Sequence, residues 1–106
     1  MDILYNDCDP SSAPELNDSI QPHALLAFDT EATSPAWADK AFDGRRSYVR
    51  TLNDCCNPAW LQNSWLEKSQ VKWDVANFST GHMPFISQPM ALGAQVAKFI
   101  KGFMTL

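Results

Sequence analysis

His82 and Asp54 are the two side chains whose types and settings could do chemistry together. His82 lies in Ser79-Thr80-Gly81-His82-Met83-Pro84-Phe85-Ile86-Ser87-Gln88-Pro89, a polar loop between a strand-like segment and a helical run. Asp54 follows an earlier strand-like segment, 28 positions upstream (82 minus 54). In open α/β sheets, functional groups collect at the carboxyl ends of the parallel strands, so the two side chains could face one crevice. A carboxylate that accepts a hydrogen bond from His Nδ1 fixes the tautomer and stabilises the imidazolium as it forms. The other ring nitrogen is then free to take a proton from a nucleophile. Plainer readings stand beside this one. His82 could be a loop histidine capping the last helix, and Asn53-Asp54 after a strand is ordinary turn chemistry. His23 has no evident partner and reads as structural.

Two strands and two helices must position the pair. Ser47-Tyr48-Val49-Arg50-Thr51-Leu52 is rich in strand formers, with Gly44 before it and Asn53-Asp54 after it. Pro58 to Lys68 reads as a helix with Pro58 in its first turn, and Leu61 and Trp65 share a face with Trp60 and Leu66 at its edges. Val71-Lys72-Trp73-Asp74-Val75 alternates apolar with charged and predicts the second strand. A final helix is expected from about Gln88 to Phe103, N-capped by Ser87. Leu92, Val96, Phe99, Ile100 and Phe103 form its apolar stripe, and Lys98 and Lys101 fall in its last turns. Strand, helix, strand, helix implies parallel strands joined by a right-handed crossover.

The first third differs in character. Ser12, Pro14 and Glu15 have the spacing of a capping box, predicting a short helix to about Ile20. Pro22 breaks the pattern, and a second apolar stretch spans His23 to Phe28. Asp29 to Pro35 reads as a loop. With little strand signal, residues 1–40 suit a cap or lid and residues 41–106 an α/β core.

Composition narrows the function classes. The 106 residues are 45 % hydrophobic and 19 % charged, a globular balance sized for one domain. A net charge of -4 argues against a nucleic-acid partner, since phosphate binding needs clustered Lys and Arg. Arg45-Arg46, with Arg50 nearby, reads as a solvated strand entrance. Three cysteines, Cys8, Cys55 and Cys56, make neither a disulfide framework nor a zinc spacing and read as reduced thiols in a cytoplasmic protein. No secretory leader and no membrane-spanning apolar stretch is recognised.

A resemblance adds to these readings. Tyr48 to Pro58 followed by Gln62 resembles the strand and acid loop of small α/β-hydrolases, and Gly81-His82 through Ser87-Gln88-Pro89 is similar to their catalytic histidine loop. The likeness is to fungal hydrolases similar to plant methylesterases and hydroxynitrile lyases. It covers Tyr48 to the C-terminus well, and Leu4 to Trp37 more loosely as their cap. It implies a partial α/β-hydrolase fold in which His82 is the catalytic base and Asp54 its orienting acid, with no metal or organic cofactor. The implied activity is hydrolysis of a small ester or thioester, as in secondary metabolism.

The family's serine stands in a Gly-x-Ser-x-Gly elbow upstream of its acid and histidine. The 106 residues contain no such motif, nor the Gly-rich oxyanion segment. Arg50 within the strand and Cys55-Cys56 after the acid also depart from the pattern. Three expectations follow: a hydrolase site completed by a serine from elsewhere, a non-catalytic truncated relative acting as an interaction module, or one piece of a split or incompletely read gene. In the non-catalytic reading the exposed sheet edge and apolar helix faces need a partner, either another copy or a full-length hydrolase; otherwise a homo-oligomer or a missing N-terminal half would complete the sheet. Ser79 and Ser87 flank the histidine, but neither sits on a strained elbow beside an anion site.

Overall fold

The computed structural model describes residues 2–106, and these form five short-to-medium helices and one small parallel sheet. In chain order the elements are α1 (Ala13–Asp18), α2 (Leu25–Asp29), β1 (Ser47–Thr51), α3 (Ala59–Lys68), β2 (Asp74–Phe78), α4 (Pro84–Ser87) and α5 (Pro89–Met104). Three single 3-10 turns, Pro10–Ser12, Ala36–Ala38 and Lys40–Phe42, supplement them. Mixed helices around a parallel sheet are an α/β arrangement, and both described strands lie beyond residue 46.

β1 and β2 pair in parallel, from Ser47 opposite Asp74 to Thr51 opposite Phe78. Val71 to Val75 was the span expected for the second strand; the observed strand begins at Asp74 and runs to Phe78. Gln70, with φ of 54°, turns the chain after α3, and the Trp73 indole donates to Ser69 Oγ at 2.9 Å. The backbone therefore reaches β1 only at Asp74, whose amide donates to Arg46 O. Alternating side chains in 71–75 mark a half-exposed connection.

Arg50 fits the sheet because its guanidinium has partners on both neighbours. It donates to Asn77 Oδ1 on β2, its register partner, at 2.9 Å and to Asn63 Oδ1 on α3. Such a cross-strand pair adds a few tenths to about 1 kcal/mol. Arg46 corrects the expectation of a solvated strand entrance. It is buried, and it donates to Trp37 O, Asp39 O and Asp43 Oδ1, tying the 36–43 segment to the start of β1.

The helices depart from their expected details for local reasons. Ser12 stands at the N-cap of α1 without a side-chain bond; Asp9 instead accepts from Ser11 N, and the helix ends at Asp18 rather than near Ile20. Ser87 does not cap the last helix, because it ends α4. Pro84 and Pro89 each sit in the first turn of a helix, and a proline pushes the residue before it out of the helical region. Gln88, at φ -139° and ψ 57°, is the break between α4 and α5.

α3 turns its buried side away from the expected one, keeping Leu61 and Leu66 half-buried. Trp60 and Trp65 are exposed, while Gln62 is the buried residue of the helix, 2 % exposed. On α5, Phe99 is buried, but Val96 and Ile100 remain exposed. The accessible surface is 7849 Å², against about 5,900 Å² for a compact monomer of this mass. The radius of gyration is 15.9 Å where about 13 Å is usual. Much apolar surface thus stays in contact with water, and each strand has one edge unpaired among the described residues.

Candidate active site

Parallel pairing brings the carboxyl ends of β1 and β2 together, and the loops leaving them stay joined. Leu52 N donates to Phe78 O at 2.8 Å, and Asn53 N to Thr80 O at 3.0 Å. Asp54 follows the first strand and His82 the second. Their side chains meet, with His82 Nδ1 2.9 Å from Asp54 Oδ2. His82 thus turns to the carboxylate and not to a helix end.

The Asp54 carboxylate is 7 % exposed and has four hydrogen-bond partners. Oδ1 accepts from the backbone amides of Cys56 and Asn57, each at 2.8 Å. Oδ2 accepts from the Thr51 hydroxyl at 2.8 Å and meets His82. An ionised carboxylate offers about four acceptor sites, so Asp54 is saturated. Because the carboxylate can only accept, Nδ1 must carry a proton, and Nε2 is left as the basic nitrogen of the neutral ring. Nε2 has no hydrogen bond among the described residues, and the His82 side chain is 24 % exposed.

Burial alone would raise the Asp54 pKa. The Asn57 amide, His82, Thr51 and the Cys56 amide outweigh it and hold the group below its ordinary value of 3.8. The linkage sign follows: a depressed folded pKa contributes stability that is complete above the unfolded value and is lost as pH falls through the folded one. Urea midpoints of the wild-type chain are therefore expected to fall once pH drops below 3.8, and Asp54→Asn is expected to flatten that fall. Equal acid slopes in the two proteins would contradict the assignment.

The N-terminal segment closes around the pair. Gly81 lies so near the N-terminal segment that a Cβ there would sit 2.1 Å from Asn6 Oδ1 and 2.6 Å from Asp7 Oδ1. Asn6 Nδ2 in turn donates to Asn53 O at 2.9 Å, so one side chain touches both loops. Tyr5 and Cys8 beside it are buried. Asn6 gave no signal in the sequence, because a lone asparagine near a chain end looks like any turn residue. Thr51 was read only as a strand former, although it is the donor that fills Oδ2.

A cavity of about 300 Å³ opens beside Asp54 and His82, bounded by Tyr48, Val49, Pro84, Phe85 and Leu92. A cleft of about 360 Å³ elsewhere, among Trp37, Phe42, Trp73, Phe99, Ile100 and Phe103, touches neither residue. We take the smaller as the candidate site, because polar groups converge there. Among the described residues, no group of three or more His, Cys, Asp or Glu is placed to hold a metal ion. No described helix is long and apolar enough to cross a membrane. His23 stacks edge-on against Phe28, with ring centroids 5.3 Å apart, and takes no part in the site. No family model and no curated protein matches this sequence.

Proposed function

We propose that the chain carries the acid–base half of an α/β-hydrolase-type site that cleaves a small ester or thioester. The observation that supports this reading is the 2.9 Å contact between His82 Nδ1 and a carboxylate saturated by four partners. Asp54 orients the ring and stays ionised. His82 Nε2 takes the proton of a serine hydroxyl as its oxygen attacks the acyl carbon, then gives that proton to the departing alkoxide or thiolate. Water later attacks the acyl-enzyme, and the same nitrogen moves its proton to the serine oxygen. The serine and its oxyanion donors come from outside these 106 residues. Residues 41–106 then correspond to the C-terminal part of the hydrolase core and residues 1–40 to its cap.

The substrate is a small molecule, as in secondary metabolism, and neither a cofactor, a nucleic acid nor a membrane takes part. The odd number of cysteines suits the cytoplasm. A second reading is a non-catalytic relative that serves as an interaction module, and the large apolar surface left in water favours it.

Hydrolysis of a short p-nitrophenyl ester by the purified chain, beside His82→Ala, tests the reading. Equal background rates are expected, because a base without its nucleophile and oxyanion hole loses most of its acceleration. A serine-bearing partner segment added in trans is expected to raise the rate of the wild type and not of His82→Ala. A rise that is the same in both would remove His82 from the chemistry.

A further inference from the structure

Gln62 lies on α3 and is more deeply buried than either member of the pair, at 2 % exposure. Its amide reaches both ends of the acid loop. Oε1 accepts from Thr51 N at 3.1 Å and from the Tyr48 hydroxyl at 3.3 Å. The two Nε2 hydrogens serve three acceptors, Asn57 O at 2.6 Å, Thr51 O at 2.9 Å and Thr51 Oγ1 at 3.1 Å, so one of them is shared. The amide can point only one way, since the opposite orientation would set its N–H groups against the Thr51 N–H.

The bond to Thr51 Oγ1 has a directional consequence. An N–H arriving at that oxygen occupies one of its lone pairs, so the hydroxyl's own hydrogen turns elsewhere. The acceptor within reach is Asp54 Oδ2, at 2.8 Å. The chain of donors then runs from Gln62 through the Thr51 hydroxyl to the carboxylate oxygen that holds His82. Each bond polarises the next. At the loop's other end, Gln62 holds the Asn57 carbonyl while the Asn57 amide donates to Oδ1.

We propose that Gln62 is a positioning residue, acting through Thr51 and Asn57 to fix the Asp54 carboxylate and thereby the tautomer of His82. This rests on the reading of Asp54 and His82 as an acid–base pair. Gln62 lines the cavity from α3 but makes no hydrogen bond to the His82 ring, and a helical glutamine of purely structural use would have no bearing on where His82 carries its proton.

The test is nitrogen-15 NMR of the His82 imidazole in the full chain, which needs no substrate and no partner. Gln62→Met keeps the length and bulk of the side chain and removes every hydrogen bond. In the wild type the neutral ring is expected to carry its proton on Nδ1. In Gln62→Met the ratio of Nδ1–H to Nε2–H is expected to fall about five- to tenfold, the size of one lost hydrogen bond. Thr51→Val breaks the same relay at its next link, and the double variant is expected to add little to either single change. Should Gln62→Met not fold, Thr51→Val carries the comparison, with Thr51→Ser restoring the wild-type ratio. An unchanged ratio in a folded Gln62→Met or Thr51→Val chain would overturn the role of Gln62. A wild-type ring protonated on Nε2 would instead overturn the pair itself.

Discussion

Asp54→Asn is expected to leave the fold intact and reverse the proton on His82. Asparagine has the shape of aspartate but replaces one acceptor oxygen with an NH₂ donor. The amides of Cys56 and Asn57 decide which end faces them: both donate, so the new Oδ1 must stay with them. Nδ2 is then forced into the place of Oδ2, opposite the Thr51 hydroxyl and His82 Nδ1. A donor there requires Nδ1 to accept, and the ring proton moves to Nε2. His82 would offer an N–H where a base is needed. In serine proteases the equivalent change lowers kcat by about ten-thousand-fold, and a loss of that order is expected here once a nucleophile is supplied. The NMR signature can be read before any partner is found. A ring in the Asp54→Asn chain that still carries its proton on Nδ1 would show that Asp54 does not govern it. Asp54→Ala is a different experiment, because it strands four partners at once and is expected to cost about 3 kcal/mol or more of stability.

The second large effect concerns the state of the purified chain. Its surface exceeds that of a compact protein of equal mass by about 1,900 Å². Obligate interfaces bury about 1,000 to 2,500 Å² on each side, so the excess is the size of one such interface. The exposed apolar residues lie on separate elements: Leu25, Leu26 and Phe28 on α2, Trp60 and Trp65 on α3, Met90 and Ile100 on α5. A two-stranded sheet is marginal alone, and parallel strands are stable when helices cover both faces. At micromolar concentration the chain is therefore expected to sediment as a species heavier than 11.9 kDa. A monodisperse monomer would contradict this. Such a result would also remove the observation that favours an interaction module.

Association and chemistry are separate properties of the same surface. The pair is held by bonds within one chain: Thr51, Cys56 and Asn57 on Asp54, and the ladder from Leu52 and Asn53 to Phe78 and Thr80. None of them needs a partner. What a partner would add is the rest of the cavity walls and, on the proposed function, the nucleophile. The His82 side chain is 24 % exposed, which leaves it open to a site completed by association.

By itself the sequence determined the elements with strong local causes. β1 follows from its run of strand formers, α3 from Pro58 and the absence of breakers, and α5 from its apolar period. α4 was not expected; two prolines five residues apart, which cannot share one helix interior, explain the break at Gln88. Asp54 and His82 could be singled out because each follows a strand, and residues at the carboxyl ends of parallel neighbours share an edge whatever their separation in the chain. Tertiary structure decided the rest. The start of β2 shifted three residues, because a strand begins where its partner's backbone is within reach and not where its side chains first alternate. Arg46 and Gln62 are buried although their types suggest solvent, because their partners are backbone carbonyls on neighbouring segments, 5 to 11 positions away. Local pattern carries side-chain polarity, whereas burial of a polar group depends on acceptors that only the folded chain brings together.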